Sequence, residues 1–468
     1  MAASLIVTSG ITEDTVLQRT EKNISGEIRI QGSCSLEATG PLLATVSRRE
    51  TALPEWLDRE VGAAQNGAWT ARLAGIPTGG PYTITLAMQG DRNTSVQIHG
   101  ILVGDLWILA GQSNMEGVGN LTDVEPPSPY VHVLDMARRW HVAEEPLHWL
   151  CDSPDPCHCE ATGEEQARLA REARQTRTKG SGLGLAFANA MVRATGVPIG
   201  LLACAHGGTS MQQWDPTRKG EGGRSLYGSM LLSLGATGGK VRGVLWYQGE
   251  SDANPEDAAQ FRDRFKALVS HVREDVQDPH LPFNSVQLGR FVTPSPDPGG
   301  WNAIQEHQRT LAEEIPGTAV VSGIDLELDD QIHIGVQGLR RLGHRLARIA
   351  LQEIEAEDGG SSGPRLRCVT VEGANRDMLR VAYDGVAPRG FLPFVRVTGF
   401  SLRTADGSDA NAIYKAVVDP VQPNEILLSL GGPLEEGQSL WYGFGFDPTC
   451  SLVDAHDMAA PVFGPIPV

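Results

Sequence analysis

Five apolar runs recur along the middle of the chain, each ending in a loop of glycine and polar residues: DLWILA (105–110), PIGLLACA (198–205), VRGVLWYQ (241–248), FNSVQLG (283–289) and TAVVSGID (318–325). Runs that stay apolar without alternating need cover on both faces, which a parallel sheet flanked by helices supplies. The intervening segments fit that cover. EDAAQFRDRFKALVSHV places Phe261, Phe265, Leu268 and Val269 on one helical face, and VQGLRRLGHRLARIAL does the same with Val336, Leu339, Leu342 and Leu346. Residues 101–355 therefore read as an α/β unit. Before it, residues 1–100 carry EIRIQG, LLATVSR, GAWTARL and PYTITLAM, whose apolar and polar positions alternate between turn residues, as in a β-sandwich-like region. After it, the Gly/Ser-rich stretch EAEDGGSSGP (355–364) reads as a linker. LRCVTVEG, MLRVAYDG, EILLSLGG and SLWYGFGF then give a C-terminal β-region over 365–468. The expected order is β, α/β, β.

At 468 residues the chain exceeds what one core usually serves, in keeping with several units. A formal charge of -18 argues against nucleic acid or an anionic membrane as partner, since both call for a basic footprint. MAASLIV is too short for a signal peptide. The expected compartment is thus cytoplasmic, or secreted or periplasmic where a leader has been removed. No oligomeric state follows from the sequence. The seven cysteines are dispersed except in CDSPDPCHC, where Cys151, Cys157, Cys159 and His158 crowd together. Regular zinc spacing and a second ligand pair are missing, so a loop disulfide or free thiols is expected there rather than a metal knuckle.

In an open parallel sheet, ligands sit beyond the carboxyl ends of the strands. The loops at those ends are Gly111-Gln112-Ser113-Asn114, Ala205-His206-Gly207-Gly208-Thr209-Ser210, Gln248-Gly249-Glu250-Ser251-Asp252 and Asp329-Asp330-Gln331-Ile332-His333. Together they contain the parts of a serine hydrolase. Ser113 is a nucleophile once a base takes its proton, and His333 is the natural base. Asp330, three residues before His333, can lie beside the ring and orient it. Backbone N–H groups of Ser113 and of Gly207 or Gly208, with the Gln248 amide, can receive an oxyanion. Glu250 either caps the following helix or competes with Asp330 as the orienting acid. His206 reads as a wall of the site. Among Trp107, Trp214 and Trp246, Trp214 lies in the polar run MQQWDP and is the best candidate for a surface on which a sugar stacks. Nothing in the four loops has metal-ligand spacing, so no metal or other cofactor is expected.

The blocks GQSNM, HGGTS, WYQGESD and the late D-x-x-H resemble those of the sialate O-acetylesterase-like branch of the SGNH hydrolases. The likeness extends to VLQR and GGPYTITL before the first catalytic strand and to LWYGFGFDPTCSLVDAHDMAAPVF near the end. It implies a flavodoxin-like catalytic domain and a triad of Ser113, His333 and Asp330, with Gln112 and Asn114 of the same blocks lining or supporting the site. It also implies metal-independent removal of O-acetyl groups from sugars, with an acetylated oligosaccharide or a sialoside as substrate. The segment from about 141 to 180 matches no such block. Two other readings stand beside this one. An inactive carbohydrate-binding protein would be expected to have lost part of the serine, histidine, acid and glycine set. A lipase or thioesterase would need an apolar groove where this chain carries Gln212, Gln213, Asp215 and Arg218.

Overall fold

A computed structural model describes residues 5–20, 22–354, 363–392 and 396–468. The expected linker, apart from its last two residues, lies outside them. The five apolar runs form parallel strands at Asp91–Gly111, Ile199–Ala203, Gly243–Tyr247, Phe283–Gln287 and Thr318–Ser322. Asp91–Gly111 lies between Ile199–Ala203 and Gly243–Tyr247, and the other two follow on the Gly243–Tyr247 side. Helices Gly184–Thr195, Leu226–Ala236, Pro255–Val276, Gly299–Glu314 and Val336–Ile354 cover the sheet. Phe261, Phe265, Leu268, Leu339, Leu342 and Leu346 are all buried in one continuous core with Trp107, Ile108 and Leu109.

Two features differ from the sequence reading. A further strand, Val131–Leu134, extends the parallel sheet beside Ile199–Ala203 and pairs with Trp140–Val142. Its sequence VHVL shows no strong pattern because His132 is itself buried, its Nδ1 2.6 Å from the Asp14 carbonyl. The chain also has no break near residue 100. One strand runs from Asp91 to Gly111, pairing antiparallel with Gly79–Met88 in its first part and parallel with the catalytic strands in its second. Ile101, Leu102 and Val103 are fully buried at the crossing, which leaves no room for a linker. Arg19 ties the two regions together by donating through Nε and Nη2 to the two oxygens of the buried Asp105, 2.8 Å each. This paired geometry is the strong form of such a contact.

The C-terminal region packs a four-stranded antiparallel sheet and a three-stranded one around Leu379, Tyr383, Phe391, Leu428 and Phe463. It is anchored to the catalytic unit by Arg345 on the last helix. That side chain is buried and donates to both oxygens of Asp325 at 2.7 Å, to the Ser322 carbonyl at 2.7 Å and to the Asp457 carbonyl at 2.6 Å. Removing Arg345 takes away these buried hydrogen bonds and leaves Asp325 with Arg341 alone, whose Nη2 donates to Oδ2 at 2.8 Å, a loss on the order of a few kcal/mol. Arg345→Met is therefore expected to lower the thermal unfolding midpoint by several degrees, a fall that calorimetry would register.

Candidate active site

The nucleophile loop begins where the central strand must leave the sheet. Gly111 has φ +133°, and a Cβ there would lie 2.1 Å from the Tyr247 carbonyl, so only glycine lets the two strand ends meet. The next N–H, of Gln112, donates to that carbonyl at 2.8 Å. The Gln112 side chain in turn accepts from the N–H groups of Gly249 and Ser251, at 3.4 and 3.3 Å. Ser113–Glu116 then forms a single helical turn, the Gln112 carbonyl taking the N–H groups of Met115 and Glu116. As first-turn donors, the N–H groups of Ser113 and Asn114 have no partner among the described residues.

His333 Nε2 lies 3.0 Å from Ser113 Oγ, and His333 Nδ1 lies 3.0 and 2.9 Å from the two Asp330 oxygens. A tight turn sets this geometry: Asp330 Oδ1 accepts the N–H groups of Ile332 and His333, and the Asp329 N–H donates to the His333 carbonyl. Asp330 Oδ2 also accepts from Lys179 Nζ at 2.7 Å. Partial burial alone would raise the Asp330 carboxyl. The hydrogen bonds from Lys179, His333 and the two backbone N–H groups outweigh it and hold the group well below the usual carboxylate range.

Asn114 joins three of the loops. Its Nδ2 donates to Glu250 Oε1 at 2.9 Å, and its Oδ1 accepts the Ile334 N–H at 3.1 Å, next to His333. Glu250 does not hydrogen-bond to His333. It is half-buried behind Asn114 with its buried Oε2 unpartnered among the described residues, and burial raises its carboxyl against the opposing pull of Asn114. The Asp330 carboxylate thus has the contact to the histidine, and Glu250 supports the loop from beneath.

Three expected roles meet a different geometry. Gln248 is fully buried and spends both amide hydrogens inside the protein, on the Thr209 carbonyl at 3.1 Å and on Asp252 Oδ2 at 2.5 Å, so it is not free to serve an oxyanion. The Gly207 N–H is taken by Glu116 Oε2 at 2.7 Å. The Gly208 N–H has no partner among the described residues, at an exposed turn with φ +70°. Trp214 is fully buried, edge-on to Trp246 with Nε1 donating to Thr209 Oγ1, and offers no face to a sugar. The polarity of MQQWDP hides this, because the neighbouring polar side chains turn outward while the indole turns in.

His206 forms part of the wall, its Nδ1 3.1 Å from Nδ1 of His158, whose Nε2 lies 3.1 Å from Ser229 Oγ. Burial lowers both imidazoles, that of His158 to about 3, so the pair is neutral. Cys151, Cys157 and Cys159 are free thiols. Among the described residues no group of three or more His, Cys, Asp or Glu side chains is placed to hold a metal ion.

Glu116 is the functional residue that the sequence reading passed over. It is buried one turn after Ser113, and burial raises its carboxyl while the Gly207 N–H and Arg177 draw it back down. Its place three residues after the serine is the signal that would have found it.

Residues 103–352, just over half of the chain, match the family described as carbohydrate esterase, sialic acid-specific acetylesterase. The chain belongs to that family. A probable carbohydrate esterase of Arabidopsis thaliana is 29% identical over 269 residues, covering 53% of this chain and 90% of the relative. Human sialate O-acetylesterase is 23% identical over 285 residues, and the chain spans about half of its length, 51%. A carbohydrate acetylesterase from Xanthomonas citri shares the fold over 98% of this chain and 99% of its own, with a TM-score of 0.66 at 21% identity. The protein is a carbohydrate acetylesterase of mixed α/β architecture with added β-regions.

Because Asp330 contacts His333 directly and Glu250 does not, Asp330→Asn is expected to lower kcat on p-nitrophenyl acetate by about 10⁴-fold. Glu250→Gln should cost far less, and steady-state rates of the two variants give the ranking.

Proposed function

We propose that this esterase deacetylates neutral O-acetylated oligosaccharides through an acetyl-Ser113 intermediate. The observation that carries the reading is the unbroken hydrogen-bonded line from Ser113 Oγ through His333 to Asp330. His333 Nε2 takes the hydroxyl proton as Oγ attacks the acetyl carbonyl, and Asp330 stabilises the imidazolium that forms. The carbonyl oxygen, now negative, is received by the N–H groups of Ser113 and Gly208. The Gly207 N–H can join them only when Glu116 releases it. The sugar hydroxyl then leaves with the proton from His333. Water, deprotonated by the same histidine, attacks the acetyl group, acetate departs and Oγ recovers its proton.

The preference for a neutral sugar rests on how the nearby cations are used. Recognition of a sialoside carboxylate calls for a free guanidinium or ammonium. Lys179 is engaged by Asp330, and Arg177 by Glu116, Gly117, His148 and the carbonyl of Lys179. Plant-polysaccharide fragments such as acetylated xylo-oligosaccharides carry no charge to pair. Lipid and thioester substrates fit poorly with the polar run from Gln212 to Arg218.

The flavodoxin-like arrangement of the catalytic unit is part of this reading. Its support is the order of the five strands that carry the loops, second-first-third-fourth-fifth across the sheet. Three separate hydrophobic clusters support a division into an N-terminal β-module, a catalytic unit and a C-terminal β-module.

Ser113→Ala and His333→Ala should each lower acetate release by at least about 10³-fold with unchanged folding, and the double variant should lose little more than the worse single one. Acetate release across acetylated xylo-oligosaccharides, xyloglucan fragments and O-acetylated sialosides tests the substrate. Higher kcat/KM on the neutral sugars is expected, and a preference for sialosides would overturn that choice.

A further inference from the structure

The segment from about 141 to 180, which lies between the GQSNM and HGGTS blocks, reaches both sides of Ser113. Its last strand, Lys179–Ser181, pairs antiparallel with Gly119–Asn120, and the Leu121 N–H donates to the Thr178 carbonyl at 2.9 Å. The Asn120 N–H in turn donates to Asp329 Oδ2 at 2.9 Å. This short ribbon is thereby fixed to the turn that carries Asp330 and His333, and it brings Lys179 Nζ to 2.7 Å from Asp330 Oδ2. The backbone of Lys179 is held as well. Arg177 Nε donates to its carbonyl at 2.7 Å, Nη1 to the His148 carbonyl at 2.7 Å and Nη2 to the Gly117 carbonyl at 3.2 Å, with the guanidinium over the Trp149 ring.

We propose that Lys179 is a positioning residue for the acid of the triad: it fixes the Asp330 carboxylate against His333 and, by sharing its negative charge, sets the pH at which the base becomes free to work. The proposal rests on the Ser113–His333–Asp330 reading. An exposed ion pair contributes little to stability, and this one is about a third exposed on each side. Its effect is instead on the reaction. Asp330 faces Lys179, His333 and the N–H groups of Ile332 and His333. His333 faces Asp330 and Ser113, while the Glu116 and Glu250 carboxylates act on it through space from the helical turn and the Gly249–Asp252 loop. Lys179 brings positive charge directly to Asp330, while Arg177 of the same segment pairs with the Glu116 carboxylate, its Nη2 3.4 Å from Oε1.

The sign follows directly. With the ammonium present, part of the carboxylate charge is neutralised and the imidazolium is less favoured. Without it, the full carboxylate charge faces the ring, the imidazolium persists to higher pH, and the acid limb of kcat/KM moves up. A unit charge two hydrogen bonds from the ring, in a site open to water, corresponds to about half a pH unit.

The test is the pH profile of kcat/KM on p-nitrophenyl acetate for the wild type, Lys179→Met and Lys179→Arg, with thermal melting of each. Lys179→Met is expected to move the acid limb up by about half a unit, and Lys179→Arg, which restores the charge, to return it towards the wild-type position. An unmoved limb in Lys179→Met overturns the proposal, whether or not its melting temperature falls. Equal displacement in the Met and Arg variants overturns it too, since charge would then not be the cause. Ser113→Ala separates the two readings: if it retains turnover the triad itself fails, whereas an inactive Ser113→Ala beside an unmoved Lys179→Met limb removes only the role of Lys179.

Discussion

The site depends on a contact that no side chain could occupy. Gly111 ends the central strand with its Cα against the Tyr247 carbonyl, and this lets the strand stop level with its neighbour rather than beside it. The His206 N–H then donates to the Gly111 carbonyl on one side, and the Gln112 N–H to the Tyr247 carbonyl on the other. Ser113 is therefore delivered between the His206–Gly208 loop and the Gln248–Asp252 loop by these backbone hydrogen bonds and by the Gln112 side chain, which accepts from the Gly249 and Ser251 N–H groups. Any larger residue at 111 would push those loops apart, since its Cβ would lie 2.1 Å from the Tyr247 carbonyl.

Around that point the protein buries carboxylates, which is costly unless each has donors. Glu116 accepts from the Gly207 N–H and Arg177, Glu250 Oε1 from Asn114, and Asp252 Oδ2 from the Met211 N–H and the Gln248 amide, while Glu250 Oε2 and Asp252 Oδ1 have no hydrogen-bond partner among the described residues. All of these bonds but that between Gln248 and Asp252, which lies within one loop, also join segments distant in sequence. The desolvation that raises all three carboxyls is thus offset by contacts that hold the serine, histidine and glycine loops in register. This explains why Asn114 and Gln248, both close to the nucleophile in the sequence blocks, act as struts between loops.

Much of this was legible in the residues. The five apolar runs mark the parallel strands because strands buried on both faces show no alternation, and the loops at their ends carry Ser113, His333 and Asp330, which the fold brings into one hydrogen-bonded line. Trp214 and Gln248 were read differently because sequence neighbours report the polarity of a segment and not the direction in which one side chain points. Val131–Leu134 escaped notice because its buried histidine breaks the apolar run, its cost met by a carbonyl 118 residues earlier in the chain. Glu116 and Lys179 owe their places to pairing across loops, which a single sequence does not print.

The segment carrying Lys179 meets the site from outside the parallel sheet. Its helix, Gly163–Thr176, buries none of its side chains, whereas Leu147, His148, Asp155 and His158 before it are buried and hold the segment to the body of the catalytic unit. At the C-terminal end one guanidinium does most of the holding: Arg177 is bonded to the carbonyls of His148, Gly117 and Lys179 and to the Glu116 carboxylate. Two of these contacts lie in the loop of the nucleophile, and a third fixes the residue that meets the triad acid. A displacement of Arg177 would therefore be felt at Glu116, and through it at the Gly207 N–H, and at the same time at Asp330. The serine side and the acid side of the site are joined by the backbone strand between them and, through this arginine, by a second connection from outside the sheet.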